Sequence, residues 1–424
     1  MQNLSHLSVL IHEQAKKYGS RPVLTFRSFG SLKWKTVSWN QFSLRVKQVS
    51  NALLNLGIKP QEKIAVFSQN CIQYLYTDFG AYGIRVVSIP FYATSSESQI
   101  QYMINDAEVK YLFVGEQDQY DKAHRIFPLC PSLERIIIFD ESVRVSSHDP
   151  NAIYFEDFLR LGEGLPRQTE VEKRWAEANE DDVCNILYTS GTTGASKGVI
   201  LNYRQYNAAI IANGKCVGVS DKDRAINFLP FTHVFERGWS YLCLSVGAQL
   251  IINTYPKEIQ DSMRETHPTC MSSVPRFWEK VYQAVKAKMD EASGVQRKLF
   301  NHALSVGRRH NIEYLANGKR PPLALALEYK LVNNTVLSIV RKQLGLEHPN
   351  IFPTAGAYVS PEVEQFVHSI GITMIVGYGL TESLATVSCD RPKQKYTIGS
   401  VGRLIDGIEL KIGENDEILL KGPT

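Results

Sequence analysis

The sequence lacks any uninterrupted apolar run approaching the ~18 residues that a membrane span requires. It also lacks a CxxC pair. Its seven cysteines (Cys71, Cys130, Cys184, Cys216, Cys243, Cys270, Cys389) are scattered and odd in number, so they read as reduced, buried thiols of a cytosolic protein rather than as a disulfide framework. Cys216, Cys243 and Cys270 are evenly spaced, but their neighbours share nothing and no repeat follows. A strong charge of either sign is missing: the formal net charge is only +4, which gives no argument for wholesale nucleic-acid binding. The N-terminus has no basic leader, and His6, His12 and Glu13 break its apolar stretch, so it does not read as a secretory signal. Leu4, Leu7, Leu10 and Ile11 instead predict a surface helix packed on the body.

What is present describes a globular α/β protein. The 424 residues, 44% hydrophobic and 21% charged, suffice for a large core and roughly three structural units at about 150 residues each. Candidate strands at 63–68, 86–91, 111–115, 135–139, 185–188, 225–229, 249–253, 271–274, 351–354 and 372–376 alternate with helical segments. Several are continuous Val/Ile/Leu runs, as expected of mainly parallel strands covered on both faces. Ser38 starts an amphipathic helix that ends at Gly57, and Ser360-Pro361-Glu362 sets a cap and first-turn proline for another. Residues 284–345 show no strand, only helical segments with breaks expected at Gly307, Gly318 and Pro321-Pro322. From Ile408 an antiparallel hairpin is expected around Gly413–Asp416. The organisation is therefore an α/β body of two intertwined subdomains over 1–395, with a helical insert at 284–345, followed by the start of a small β-barrel subdomain over 396–424.

The chemistry concentrates after the strand at 183–188. Tyr188-Thr-Ser-Gly-Thr-Thr-Gly-Ala-Ser-Lys-Gly198 combines glycines that let backbone N–H groups converge, a series of hydroxyls, and the cation of Lys197. That equipment suits a polyphosphate. It is not a Walker A loop, because Ser196 and Gly198 flank the lysine where glycine and Ser/Thr would be required. Gly377-Tyr-Gly379 begins a GxGxxG pattern, but Glu382 stands at its last position and would repel a bare pyrophosphate unless a cation intervened. His233 and Glu236 do not make a zinc site, for want of a third ligand nearby.

The loop resembles the signature loop of the adenylate-forming superfamily, whose members activate carboxylic acids as acyl-adenylates. Family members usually carry proline where Ser196 stands. Three further segments occur in the family's order: Phe228-Leu-Pro-Phe-Thr-His-Val-Phe-Glu-Arg237, Pro353-Thr-Ala-Gly-Ala-Tyr-Val-Ser360 with Ala355 replacing a glycine, and Ile375-Val-Gly-Tyr-Gly-Leu-Thr-Glu-Ser383. The resemblance covers essentially the whole chain. It implies that Thr189, Ser190, Gly191, Thr192, Thr193, Gly194 and Lys197 hold the phosphates of ATP, and that Gly356, Ala357, Gly377, Tyr378, Gly379, Leu380 and Thr381 line the adenine and α-phosphate region. It further implies that Thr189 and Glu382 hold Mg²⁺, and that Lys197, His233, Thr189 and Glu382 form the catalytic set.

The wording after His233 and the helical insert resemble the long-chain fatty acid–CoA ligases. The implied reaction is ATP-dependent formation of acyl-AMP and then acyl-CoA, with coenzyme A as co-substrate. The alternatives are a ligase serving a carrier-protein thiol or another acid, and a catalytically inactive nucleotide- or lipid-binding homologue. The insert carries eleven Lys/Arg against four Asp/Glu, a balance of +7 that leaves the rest of the chain at −3. Such a segment can dock on an anionic bilayer, giving an expected cytoplasmic location with peripheral association at the inner membrane surface. Family members continue past the position of Thr424 into a ribose-binding Asp, a hinge and a mobile domain with an adenylation lysine. The chain reads as lacking that domain, with impaired turnover expected.

Overall fold

The computed structural model describes residues 6–147, 149–163, 167–189, 196–392 and 394–424. One sheet has seven strands in the spatial order Ala152–Tyr154, Arg135–Ile138, Val109–Val114, Lys63–Phe67, Val87–Phe91, Val183–Thr189 and Lys197–Asn202. All are parallel except the last, which returns antiparallel to its neighbour. The central strands are buried along nearly their whole length, which is why they read as largely apolar segments, broken only by residues such as Ser88, Pro90 and Lys110, rather than as polar/apolar alternations.

A second sheet orders Arg224–Asn227, Gln249–Ile252, Pro22–Phe26 and Lys35–Ser38; a third orders Phe352–Thr354, Met374–Tyr378, Ser388–Cys389 and Arg403–Leu404. Isolated parallel bridges Ala225–Cys270, Cys270–Ile351 and Ser273–Thr354 join these two into one surface. The expected strand at 271–274 is thus reduced to bridges. Ser272 and Ser273 turn their hydroxyls into hydrogen bonds with Glu236 and Thr354, and Pro275 opens a helix immediately after.

Local signals set many element ends. Ser38 and Gln41 form a reciprocal capping box at the start of Trp39–Asn55. Ser360 does not cap with its side chain; the start of Pro361–Ser369 rests on Pro361 and on the first-turn acidic residues Glu362 and Glu364. The N-terminal helix runs Leu10–Tyr18, later than expected; Leu7, Leu10 and Ile11 are buried, and Leu4 lies outside the described residues. Gly307 does not break its helix, Gly294–Arg308. A Cβ there would lie 2.1 Å from the Ser369 carbonyl, so the glycine serves close packing against Pro361–Ser369. The hairpin Glu409–Ile412 and Ile418–Lys421 forms in register as expected.

Candidate nucleotide and acid site

The strand Val183–Thr189 delivers Thr189 to the carboxyl end of the first sheet. Lys197 opens the returning strand and pairs directly with Thr189, so the loop between them spans a hairpin. Ser190, Gly191, Thr192, Thr193 and Gly194 lie outside the described residues. Lys197 is exposed and has no side-chain partner among the described residues, which leaves its cation available. Tyr188 is nearly buried, with its hydroxyl donating to Asp106, and fixes the strand just before the loop.

A cleft of about 450 Å³ brings Thr189 and Ser196 together with Thr232, His233 and Thr381. Its opposite wall is the exit of strand Val87–Phe91 and helix Glu97–Ala107. Every one of these loop segments follows the carboxyl end of a strand, where open α/β sheets place their ligands.

His233 is the N-cap of helix Val234–Val246, and its Nδ1 accepts the Phe235 N–H at 3.2 Å. Nε2 has no protein partner among the described residues. The ring is open to the cleft, yet the walls around it desolvate the imidazolium and lower its pKa. Burial thus favours the neutral imidazole at the mouth of the cleft.

That helix is held by groups the sequence did not reveal. Arg237 and Asp78 are both 1% exposed and pair at 2.6 Å. The guanidinium also donates to the Phe231 carbonyl and to the Tyr82 and Tyr241 hydroxyls at 3.0, 3.1 and 2.7 Å. Glu236 is fully buried and accepts from Asn227, Leu229 N–H and Ser272; burial raises its pKa to about 7. The only sequence signal for Asp78 was one acid in the otherwise uncharged helix Ile72–Tyr82.

On the second surface, Phe352–Thr354 and Met374–Tyr378 are parallel neighbours, so their exits lie at one edge. Gly356, with φ +90°, and Ala357 are exposed there, while Gly377 and Tyr378 lie partly buried beside them. Gly379 must be glycine, because a Cβ would meet the Ala385 carbonyl oxygen at 1.5 Å. Leu380 precedes a short turn, Thr381–Ser383, that touches strand Lys197–Asn202. Thr381 enters the cleft, and the exposed Glu382 carboxylate has no protein partner among the described residues.

Beside the cleft lies a small apolar channel, about 50 Å³ as it stands. Ile210, Val217, Trp239 and Leu242 of helices Tyr203–Val217 and Val234–Val246 line it, together with Thr354, Ile375, Gly377 and Tyr378 of the third sheet. Val234 lines the cleft and its neighbour Phe235 lines the channel, so the two spaces adjoin.

The AMP-binding enzyme family matches residues 11–423. The chain belongs to that family. Long-chain-fatty-acid–CoA ligase ACSBG2 of Xenopus laevis is 26% identical over 416 residues, covering 96% of this chain and 55% of the relative. ACSBG1 of Rattus norvegicus is 24% identical over 428 residues, covering 98% and 58%. The chain thus spans between half and two thirds of the length of these relatives. Among solved structures, the anthranilate CoA ligase AuaEII in complex with anthranoyl-AMP superposes with a TM-score of 0.73 at 17% identity, covering 100% of this chain and 70% of that one. A long-chain-fatty-acid-CoA ligase (FadD1) from Archaeoglobus fulgidus gives 0.68 at 17% identity, covering 100% and 76%. These likenesses establish the adenylate-forming fold.

Proposed function

We propose that this AMP-binding chain holds ATP and a long-chain fatty acid for adenylation, as the body of an acid–CoA ligase. The adjoining of a hydroxyl-rich cleft and an apolar channel carries the reading. The cleft offers Thr189, Ser196 and Thr381 to phosphates, with Lys197 paired to Thr189 on the adjoining strand, and the channel offers hydrocarbon contact to an acyl chain, so the acid's carboxylate would emerge where the α-phosphate is bound.

In that arrangement a carboxylate oxygen attacks the α-phosphorus, the acyl–phosphate anhydride forms, and the bond to pyrophosphate breaks. The protein's part is positioning and charge neutralisation rather than covalent catalysis. Lys197 faces the departing phosphates, the Thr189 and Thr381 hydroxyls fix their oxygens, and neutral His233 permits the two anions to approach without taking the carboxylate's charge. Thr189 and Glu382 suit Mg²⁺, which takes hard oxygen donors and commonly only one or two carboxylates besides substrate phosphates. No group of three His, Cys, Asp or Glu able to hold a metal by itself exists among the described residues, which fits that shared mode. When bound, the ion would screen charge on the phosphates. Attack of the coenzyme A thiol on the acyl carbon would then release AMP.

The reading is tested with non-hydrolysable acyl-AMP analogues of increasing chain length, measured by calorimetry. Each additional methylene buried in the channel should tighten binding by about 0.8 kcal/mol, roughly fourfold, until the channel is full. Affinity independent of chain length, or greatest for aryl or aminoacyl analogues, would remove the fatty-acid assignment. Pyrophosphate exchange dependent on long acids, with loss in Lys197→Ala and Glu382→Gln, separates an active ligase from an inactive binding protein.

A further inference from the structure

The helical insert has a second surface that the nucleotide site does not use. Helix Gly294–Arg308 continues through a π-helical turn, and the stretch from Leu323 to Gln343 returns against it, with its own π-turn at Asn333–Leu337. The inner face of the returning stretch is embedded: Leu325, Val332, Leu337 and Val340 are at most 9% exposed. Arg341 is buried on the same side and donates to the Ile370 carbonyl at 2.6 Å.

The outer face is the reverse. Leu323, Leu327 and Leu331, four residues apart on one helical stripe, are 77%, 60% and 65% exposed. Val295 and Leu299 on the neighbouring helix are 78% and 53% exposed. Single exposed leucines are ordinary, but three on one stripe, with two more apolar residues exposed on the helix packed beside it, make an apolar outer face. On the same insert, Lys298, Lys319, Arg320, Lys330 and Lys342 have no carboxylate partner among the described residues, whereas Arg308 and Arg309 are answered by Glu313 and Glu328.

We propose that this outer face docks in the headgroup region of an anionic bilayer, with the leucines inserted and the unpaired cations among lipid phosphates. Charge chooses between the candidate occupants. A second copy would set one strongly cationic insert against another, while an anionic surface answers both the apolar stripe and the insert's unpaired cations. The stretch Leu323–Gln343, at 21 residues, is long and apolar enough by composition to cross a bilayer. Spanning would strip Leu325, Val332, Leu337, Val340 and Arg341 from the body, so the helix lies in the plane of the interface instead.

The test is flotation of the whole protein with vesicles, which requires no turnover and so stands apart from the acid assignment. Binding is expected to phosphatidylcholine–phosphatidylglycerol vesicles at low salt, weakening as salt rises, with little on phosphatidylcholine alone. Leu323→Ser/Leu327→Ser/Leu331→Ser should lose at least tenfold in affinity, and Lys298→Glu/Lys330→Glu should lose binding to the anionic vesicles. These sites are exposed, so unchanged melting curves will confirm folding; a second set, Leu323→Gln/Leu331→Gln, serves if the first melts early. Equal flotation of wild type and variants overturns the proposal, as does charge-independent binding. Light scattering that shows a wild-type dimer converted to monomer by the leucine variants would also overturn it, by assigning the face to a second copy.

Discussion

Replacing Arg237 by Met tests how His233 is held. The substitution preserves most of the side-chain length and leaves the Asp78 carboxylate 1% exposed without its cation. Asp78 would retain the Ser88 and Tyr241 hydroxyls, at 2.6 and 3.1 Å, as its only polar contacts. Breaking one side of a buried pair costs about 3–5 kcal/mol, and the two remaining donors place the expectation at about 3. Removing both charges with Asp78→Asn/Arg237→Met should recover much of the loss, because Tyr82 can still bond Asn185 and Tyr241. Urea unfolding followed by tryptophan fluorescence, over the full double-mutant cycle, measures a coupling energy expected at about 2–4 kcal/mol. Because Arg237 also grips the Phe231 carbonyl, nucleotide affinity should fall in Arg237→Met; His233→Ala should spare stability. An Arg237→Met penalty below about 1 kcal/mol, or a coupling near zero, would refute the account of this pair as desolvated and structural.

Other consequences are open to direct measurement. Gly379→Ala forces its Cβ onto the Ala385 carbonyl; it should destabilise by about 1–3 kcal/mol and weaken ATP binding measured by calorimetry. Glu364 is buried with one oxygen bonded to Gly399 N–H and the other without a hydrogen bond, 4.0 Å from His368 Nε2, and burial raises its pKa to about 7. Its folded pKa lies above the unfolded value, so its neutral form favours the fold and that contribution is lost as pH rises through about 7. Glu364→Gln should therefore melt progressively higher than wild type between pH about 4.5 and about 7, with a constant gap above; a pH-independent gap would contradict this.

The parts of the site legible in the sequence were those carried by local chemistry. The Ser/Thr/Gly loop, the Phe228–Arg237 segment around His233 and the Gly377–Glu382 turn each announce themselves within a dozen residues, and Thr189, His233 and Thr381 do meet in one cleft. The Arg237–Asp78 pair could not be read, because its partners lie 159 residues apart and neither belongs to a recognisable pattern as a pair. Strand Lys197–Asn202 was hidden because its residues are mostly exposed and begin inside the loop's own lysine–glycine signature. Gly307 misled for a different reason: a glycine that admits a neighbouring backbone looks, in one dimension, like one that ends a helix.

The two adjoining spaces are made from different kinds of structure. Strand exits supply the hydroxyls of the cleft, and the flanks of two helices face strand residues such as Thr354 and Ile375 across the channel. On the proposed reading the two reactants meet at His233–Phe235 and at Gly377–Thr381, while Ile210, Trp239 and Leu242 touch the channel alone. On the proposed assignment, Trp239 or Leu242 can change size, and with it the acid accepted, without disturbing the hydroxyls that grip the nucleotide. A family built this way can diversify its acids while keeping one way of activating them.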